Sequence, residues 1–178
     1  MKLDQIINQP AIETERFDLR PLRRSDKGLI ELYGSDERVA RMTTSIPHPL
    51  PPGLVEGFIS RAMSEDRTED VWAMDGTKSG GAELKGVISL NRLDRNQSEV
   101  GYWVAPIYWN TGLASEAVEA LVRANPLGSS TMFASVFQDN PASARVLIHC
   151  GFEYLGDAES YSVARDTAVP TWTYSRKL

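Results

Sequence analysis

The sequence predicts an α+β fold, in which a mixed β-sheet is flanked by helices. Segments rich in β-branched and aromatic residues, which favour strands, are interspersed with segments of helical period. Two of the strand-like segments, 71–74 and 86–90, are separated by a turn rich in Gly and Ser, which is typical of a hairpin. The sequence lacks the regular strand–helix–strand repeat that would indicate a doubly wound parallel sheet.

The first half of the chain predicts strands and helices on either side of a proline-rich loop. Alternating apolar positions predict a first strand over 17–22. Ser25 is the candidate N-cap of the first helix, and Gly34 is its candidate stop. Segment 46–53 contains four prolines, which fix φ and remove backbone donors, so we expect an irregular loop there. The other predicted elements are a helical turn over 36–42, a helix over 54–64 and the strand over 71–74.

The second half predicts the central strands and two further helices. Apolar spacing predicts a helix over 113–124, which Asn125-Pro126 ends because the residue before proline disfavours helical geometry. Asn140-Pro141 marks the start of the next helix and Gly151 its end. The remaining predicted elements are strands over 86–90, 100–105, 131–137, 152–155 and 171–175, and the helix over 143–150.

Length and composition predict one domain over residues 1–178, with 1–10 as a candidate flexible segment. A net charge of −5 argues against a nucleic-acid surface. No apolar run is long enough for a membrane span, and the polar start does not resemble a signal peptide, so we expect a cytoplasmic location. The single cysteine, Cys150, excludes an internal disulfide and fits a reducing compartment.

A strand, a turn marked by Pro106 and a helix follow one another in the middle of the chain. Gly112, Ala114 and Ser115 keep this turn narrow. Because the first N–H groups of a helix are unpaired and lie at the positive end of its dipole, the turn predicts a site for phosphate or pyrophosphate. Neither Gly-x-Gly-x-x-Gly nor a Walker motif occurs, and two distant histidines with Cys150 lack metal-ligand spacing, so we expect no metal.

Three sequence blocks at fixed distances carry a family resemblance. They are Glu99-Val-Gly-Tyr-Trp-Val-Ala-Pro106, Tyr108-Trp-Asn-Thr-Gly-Leu-Ala-Ser-Glu-Ala117 and Asp139-Asn-Pro-Ala-Ser-Ala-Arg-Val-Leu-Ile-His-Cys-Gly-Phe152. Together they resemble the GNAT superfamily of acetyl-CoA-dependent N-acetyltransferases, and they are most similar to its branch of ribosomal-protein Nα-acetyltransferases, the Rim type. The resemblance extends over nearly the whole chain.

The resemblance implies a twisted mixed sheet that splays between the strand over 100–105 and the strand over 131–137. The pantetheine arm of acetyl-CoA would enter this splay and pair with backbone near Val104 and Ala105. Trp109 takes the place of the family's Gln or Arg, and Asn110 stands where the Rim-type branch has Gly, a position that Asn can fill in the left-handed conformation. The residues implied to hold the pyrophosphate are Trp109, Asn110, Thr111, Gly112, Leu113, Ala114 and Ser115.

The same resemblance implies roles for three polar residues, each with a structural alternative. Glu99 is the candidate catalytic base; the alternative is a solvent-facing or ion-paired strand carboxylate. Asn140 would contact the pantetheine arm; the alternative, a helix N-cap, is compatible with that role. Ser143 would donate a proton or hydrogen bond to the coenzyme A sulfur; the alternative is an ordinary first-turn serine. Leu147 stands where the wider superfamily often has a tyrosine, which excludes a tyrosine acid at that position.

The implied function is direct transfer of acetyl from acetyl-CoA to an amine. The acceptor could be a protein N-terminus, an amino-sugar, a polyamine or another small amine, and the protein a monomer or homodimer. The alternative function is an acyl-CoA-binding sensor module that has lost turnover. One fold serves many acceptors, so the acceptor stays open at this point.

Overall fold

A computed structural model describes residues 9–178. The expectation of flexibility over 1–10 falls largely on residues 1–8, which lie outside the described part. The helices are α1 (Lys27–Gly34), α2 (Glu37–Ala40), α3 (Leu54–Ala62), α4 (Leu113–Ala124) and α5 (Pro141–His149). The strands are β1 (Ile12–Glu13), β2 (Asp18–Pro21), β3 (Glu69–Asp75), β4 (Gly86–Leu93), β5 (Gln97–Val104), β6 (Thr131–Phe137), β7 (Glu153–Ser162) and β8 (Thr167–Lys177).

The strands form one mixed sheet in the order β1-β2-β3-β4-β5-β6-β8-β7. Neighbouring strands pair antiparallel throughout this sheet, with the exception of the central pair β5 and β6, which is parallel. The predicted hairpin between β3 and β4 is confirmed, with Trp72 opposite Ile88. The structure therefore has the predicted α+β architecture with a mixed sheet.

The two central strands separate after a short stretch of pairing. Within residues 9–178, β5 and β6 pair at three positions, the last of which joins Glu99 to Phe133. The following residues of both strands, through Val104 on β5 and Phe137 on β6, diverge. The splay that the resemblance implied therefore lies between the predicted pair of strands.

Helices cover both faces of the sheet and enclose two cores. On one face α4 and α5 pack over the larger cluster, in which Trp72, Ile88 and Leu121 are fully buried. On the other face α1 and α3 pack over a smaller cluster that includes Ile59 and Val87. Side chains of successive strand residues point to opposite faces, so β3, β4 and β5 contribute to both cores. The described helices include none long and apolar enough to cross a membrane.

The start of the first helix and the two C-terminal strands differ most from the sequence prediction. Ser25 is not a helix cap; it lies inside a short 3-10 turn, and the Asp26 carboxylate accepts a hydrogen bond from the Arg23 N–H at 2.9 Å instead. The C-terminal strands β7 and β8 are about twice as long as predicted, because they form one extended hairpin whose outer strand is mostly exposed. An exposed strand lacks the run of buried apolar residues on which the prediction depended.

Candidate active site

Two cavities open on opposite faces of the sheet and meet at the splay. The cavity beside α4 and α5 has a volume of about 640 Å³, and the cavity beside α1 and α3 about 550 Å³. Residues of β5 from Val100 to Trp103 line both cavities, as does Ser135 on β6. We call the first the α4 cavity and the second the α3 cavity. A molecule in one can therefore reach a molecule in the other through the opening between β5 and β6.

The start of α4 forms a turn of exposed backbone N–H groups along the α4 cavity. Gly112 caps the helix with φ 80°, a left-handed conformation that suits glycine, and no side chain bonds the first-turn N–H groups. Asn110 is also left-handed, with φ 62°, so the expectation that asparagine can replace the family's glycine here is confirmed. The turn presents unpaired donors at the positive end of a twelve-residue helix.

A network of polar contacts holds this turn from behind. The Glu116 carboxylate accepts hydrogen bonds from the Thr14 hydroxyl and from Arg16 Nε, both at 2.6 Å. Arg16 Nη1 also donates to the carbonyl of Thr111 at 2.8 Å. Although partial burial opposes it, these hydrogen bonds lower the pKa of Glu116. The ion pair of Glu116 with Arg16 thus fixes the backbone of the turn through the bond from Arg16 to Thr111.

Trp109 and Ala105 shape the end of β5. The Trp109 indole Nε1 donates to the carbonyl of Val104 at 2.7 Å. Ala105 is fully buried, its N–H donates to the carbonyl of Lys85 at 2.9 Å, and its carbonyl accepts from the N–H of Tyr108 at 2.8 Å. Both backbone groups of Ala105 are thus used within the protein. The N–H of Ala105 is therefore not free to pair with a cofactor, whereas its carbonyl can accept a second hydrogen bond, and the cofactor role of Ala105 stays a prediction.

The backbone of β5 presents hydrogen-bonding groups to the splay at alternate residues. Val104 is opposite Gly86 in the pairing of β5 with β4, and the next residue, Ala105, donates its N–H to the carbonyl of Lys85. The odd-numbered residues of β5 therefore bond toward β4. Since antiparallel pairing alternates, the N–H and C=O groups of the even-numbered residues Val100, Tyr102 and Val104 point away from β4 and toward β6. Where β6 has diverged, these groups face the opening.

Two arginines that the sequence analysis missed line the α4 cavity. Arg38 on α2 lies over the Trp109 ring at 5.6 Å and pairs with Asp36 at 2.8 Å, and Arg145 lies on α5. Arg38 lies outside the three sequence blocks. Arg145 lies inside the third block, at a position to which the resemblance assigns no ligand role. They place two guanidinium groups along the α4 cavity, one of them paired with Asp36, and such groups favour an anion.

The first turn of α5 brings three polar groups together at the splay. The Asn140 side chain caps the helix by accepting from the N–H of Ser143 at 3.4 Å, so the N-cap interpretation is confirmed. Ser143 Oγ lies 2.8 Å from the hydroxyl of Tyr102, and that hydroxyl lies 3.1 Å from the Ser143 carbonyl. Burial raises the pKa of the Tyr102 phenol, so the pair is neutral at physiological pH.

A row of polar side chains crosses the floor of the α3 cavity. Glu69 on β3, Asn91 on β4 and Glu99 on β5 are opposite one another in register, and all three line this cavity. Burial raises the pKa of the Glu99 carboxyl. The pKa of Glu69 is also raised, first by burial and then by the negative charge of Glu99, while Arg61 opposes the shift. Two carboxyls with raised pKa values face a cleft in which Arg61 is the cation from α3.

The loop between α2 and α3 and the outer strand of the C-terminal hairpin form walls of the α3 cavity. The proline-rich loop contributes Ile46 and Leu50, whereas His48 is not among the lining residues. The guanidinium of Arg165, at the tip of the β7–β8 hairpin, donates to the carbonyl of Arg41 and to the Asp139 carboxylate at 2.6 Å. This contact links the hairpin to the segment after α2 and to the turn that precedes Asn140.

The structure brings together nearly all of the predicted site residues. Glu99 lies in the α3 cavity and Ser143 in the α4 cavity, next to the shared opening. Cys150 is buried and burial raises its pKa to about 11, whereas a nucleophilic cysteine needs a lowered pKa. Among residues 9–178 no group of three or more His, Cys, Asp or Glu side chains could hold a metal ion. The predicted cofactor residues that line the α4 cavity are Val104, Trp109, Asn110, Thr111, Gly112, Leu113, Ala114, Ser115 and Asn140.

Comparison with known proteins agrees with this arrangement. A family model described as an acetyltransferase (GNAT) domain matches residues 16–153. A protein of Bacillus subtilis (strain 168) named as an uncharacterized N-acetyltransferase, YoaA, is 29% identical over 175 residues, which span 93% of this chain and 96% of the relative.

Solved structures of low sequence identity share the fold. The microcin C7 self-immunity acetyltransferase MccE, in complex with acetyl-CoA and AMP, has a TM-score of 0.79 at 14% identity, with 92% of this chain and 93% of that chain covered. The ribosomal L7/L12 α-N-protein acetyltransferase RimL, in complex with coenzyme A, has a TM-score of 0.79 at 15% identity, with 95% and 98% covered.

Proposed function

This chain belongs to the GNAT acetyltransferase family, and from that premise we propose that it transfers the acetyl group of acetyl-CoA directly to a primary amine. The proposed enzyme is a single GNAT-like domain over residues 1–178, similar to the Rim-type branch, and it acts in the cytoplasm. Its acceptor is a protein N-terminus or a small amine. It needs no metal for this reaction.

The observation that carries the proposal is the junction of the two cavities at the splay. The α4 cavity offers an anion cradle at one end, from Asn110 to Ser115, and diverging strand backbone at the other. A diphosphate suits the cradle because exposed N–H groups and a helix dipole stabilise negative charge. The pantetheine arm suits the splay because the N–H of Val104 can bond it as a strand would. Asn140 caps α5 with its oxygen, which leaves its side-chain NH₂ for the arm.

The α3 cavity supplies the chemistry for the amine. A primary amine enters as an ammonium ion, which the carboxylates of Glu99 and Glu69 attract. Glu99 accepts a proton, directly or through water, and the neutral nitrogen attacks the thioester carbon at the opening. A backbone N–H near Val104 stabilises the oxyanion. The C–S bond then breaks, and Ser143 donates a hydrogen bond to the departing sulfur.

The raised pKa of Glu99 suits this role because a base is most effective when its pKa lies nearer the working pH. An α-amine with a pKa near 8 is roughly one-tenth neutral at pH 7, whereas a lysine amine near 10.4 is neutral to only a few parts in ten thousand. A single carboxylate is a strong enough base to deprotonate an α-amine, whereas a lysine amine needs a stronger base. This difference favours an α-amine or another weakly basic amine as acceptor.

The test is release of free thiol from acetyl-CoA in the presence of a panel of amines: peptides with free N-termini, amino-sugars, polyamines and simple alkylamines. We expect release with at least one class, and a large loss in Glu99→Gln with coenzyme A binding retained. A protein that binds coenzyme A, gains thermal stability from it and releases no thiol with any amine would be the sensor module instead.

A further inference from the structure

The hydroxyl of Tyr102 is the feature of the splay that the proposed mechanism leaves unused. Tyr102 lies on β5, where that strand diverges from β6, and its side chain reaches across to the first turn of α5. It lines both cavities, while Ser143 lines the α4 cavity. The two hydroxyls therefore lie beside the place where the two substrates would meet.

The helix itself offers no second hydroxyl at this place. Leu147, one turn after Ser143, is fully buried in the core between α5 and the sheet. An apolar side chain cannot donate to sulfur, so α5 has Ser143 alone on this side. The sheet supplies the second hydroxyl instead, from Tyr102.

The hydrogen bonds of this pair have two possible directions. In the arrangement described above, Ser143 Oγ donates to Tyr102 Oη at 2.8 Å, and Tyr102 donates to the Ser143 carbonyl at 3.1 Å. Serine has one hydroxyl proton, so in this arrangement none is left for a ligand. Because hydroxyl hydrogens rotate, Tyr102 can donate to Ser143 Oγ across the same 2.8 Å, and the Ser143 proton then turns toward the cavity.

We propose that Tyr102 is a positioning residue for acetyl transfer: it donates to Ser143 Oγ and so directs the Ser143 hydroxyl proton onto the thioester sulfur. This inference rests on the proposed function. Two hydroxyls in a chain polarise each other, so the Ser143 hydrogen bond becomes stronger than that of an isolated serine. The effect grows as the sulfur gains charge and is greatest in the transition state.

The atoms and charges of the step balance without a net proton from Tyr102. The amine gives one proton to Glu99 and forms the C–N bond; the C–S bond breaks, and its electron pair stays on sulfur as thiolate. A second proton leaves the nitrogen through Glu99, which has passed the first to water. The thiolate, held by the Ser143 hydrogen bond, takes its proton from water. Burial raises the pKa of the Tyr102 phenol, which agrees with a donor that keeps its proton.

The experiment compares Tyr102→Phe, Ser143→Ala and the double variant, with Tyr154→Phe as the matched control. Tyr154 is exposed on β7 and its hydroxyl bonds Asp157 at 2.5 Å, outside both cavities. Each variant is assayed with acetyl-CoA and with the acetyl ester of selenocoenzyme A. A selenol is more acidic than a thiol, and a more acidic group leaves with less assistance.

We expect Tyr102→Phe to lower kcat about tenfold with acetyl-CoA while the KM for acetyl-CoA and the melting temperature change little. Ser143→Ala should lower kcat at least as much, and the double variant no further, because the two hydroxyls act as a unit. With the selenoester the loss in Tyr102→Phe should largely disappear. Tyr154→Phe should behave as the wild type with both donors.

A second measurement needs no acceptor amine. The thiolate of bound coenzyme A absorbs in the ultraviolet, so its pKa can be titrated by difference spectroscopy. We expect this pKa to be higher in Tyr102→Phe than in the wild type, by about one unit, because the hydrogen bond from Ser143 is weakened. An unchanged thiol pKa would overturn the positioning role.

Three kinetic outcomes would also overturn it: an unchanged kcat in Tyr102→Phe, an equal loss with the thioester and the selenoester, or independent losses that multiply in the double variant. Failure of the proposed function looks different. In that case the wild type releases neither thiol nor selenol with any amine, and both the function and the role of Tyr102 are rejected together.

Discussion

The α4 cavity and the α3 cavity share one opening but are built in different ways. The α4 cavity is mostly a continuous stretch of chain, from the end of β5 to the start of α4, and it presents backbone groups. The α3 cavity is assembled from side chains of a loop, two helices and six strands distant in sequence. One side is therefore a local structure and the other is a product of the whole fold.

Acceptor specificity can change on the α3 side while the α4 side stays the same. A backbone cradle around a helix N-terminus depends on few side chains, so it can bind one constant ligand in relatives of low identity. A wall of side chains can be altered one residue at a time without disturbing the cradle, as loops on a rigid scaffold allow. In this chain the α3 cavity has two carboxyls with raised pKa values, Glu69 and Glu99, which are suited to an acceptor that carries an amine.

The largest expected effect comes from removing the base on the α3 side. Glu99→Gln should lower kcat by about 10²- to 10⁴-fold, the usual contribution of general-base catalysis, with little change in coenzyme A affinity. Steady-state kinetics and calorimetry together check this. Glu153→Gln, on the exposed strand β7, is the matched control and should keep wild-type values. Full activity in Glu99→Gln would show that the Glu99 carboxyl is not the catalytic base.

The pH dependence sharpens the same assignment. The base must be ionised, and burial raises the pKa of Glu99, so kcat/KM should fall as the pH drops through a value above the ordinary glutamate range near 4.3. In Glu99→Gln this acid limb should vanish, while the limb that belongs to the acceptor amine persists. An acid limb of kcat/KM that is identical in the wild type and in Glu99→Gln would report the titration of a group other than Glu99.

A smaller effect is expected from the cradle on the α4 side. Gly112→Ala places a β-carbon on a residue with φ 80° and within 3.4 Å of the Arg16 guanidinium. We expect coenzyme A affinity to fall about tenfold, together with a loss of about 1 kcal/mol in unfolding free energy from the left-handed strain. Gly80→Ala, at φ 75° with open space around it, should show the stability loss alone. Equal coenzyme A affinity in Gly112→Ala and Gly80→Ala would show that the turn before α4 does not bind coenzyme A.

The smallest effect concerns how much the charge of Glu69 lowers the stability of the folded protein. Burial and then the charge of Glu99 raise the pKa of Glu69 in the folded state. The folded state therefore loses stability as the pH rises above the ordinary glutamate pKa, and the loss is complete above the raised pKa. Glu69→Gln should therefore raise the melting temperature at neutral pH. The gain should fade below the ordinary glutamate pKa, where residue 69 is uncharged in both proteins. It should also move the acid limb of kcat/KM downward, because Glu99 loses a like charge. A melting temperature lowered at neutral pH would contradict this account.

The sequence predicted the local side of the site better than the assembled side. The helix over 113–124 and the strand over 131–137 were predicted with the bounds that the structure has, because apolar spacing and Asn125-Pro126 mark them. The left-handed Asn110 and the N-cap Asn140 also follow from local rules. Local rules do not tell which backbone groups of β5 face the splay, since that depends on the pairing between β4 and β5.

The assembled side could not be predicted for a physical reason. Register across three strands places Glu69 opposite Asn91 and Asn91 opposite Glu99, and no local pattern in the sequence encodes that register. The contact of Arg165 with Arg41 joins residues 124 positions apart. The contact of the Tyr102 hydroxyl with Ser143 joins β5 to α5 across the splay, and no local pattern in the sequence predicts it.

The central claim is that the turn before α4 and the splay beside it hold coenzyme A. Calorimetric titration of coenzyme A into the wild-type protein tests this most directly. The account predicts saturable binding of one coenzyme A per chain, weakened in Gly112→Ala and preserved in Gly80→Ala. A flat titration with coenzyme A at millimolar concentration, with no change in melting temperature, would contradict it.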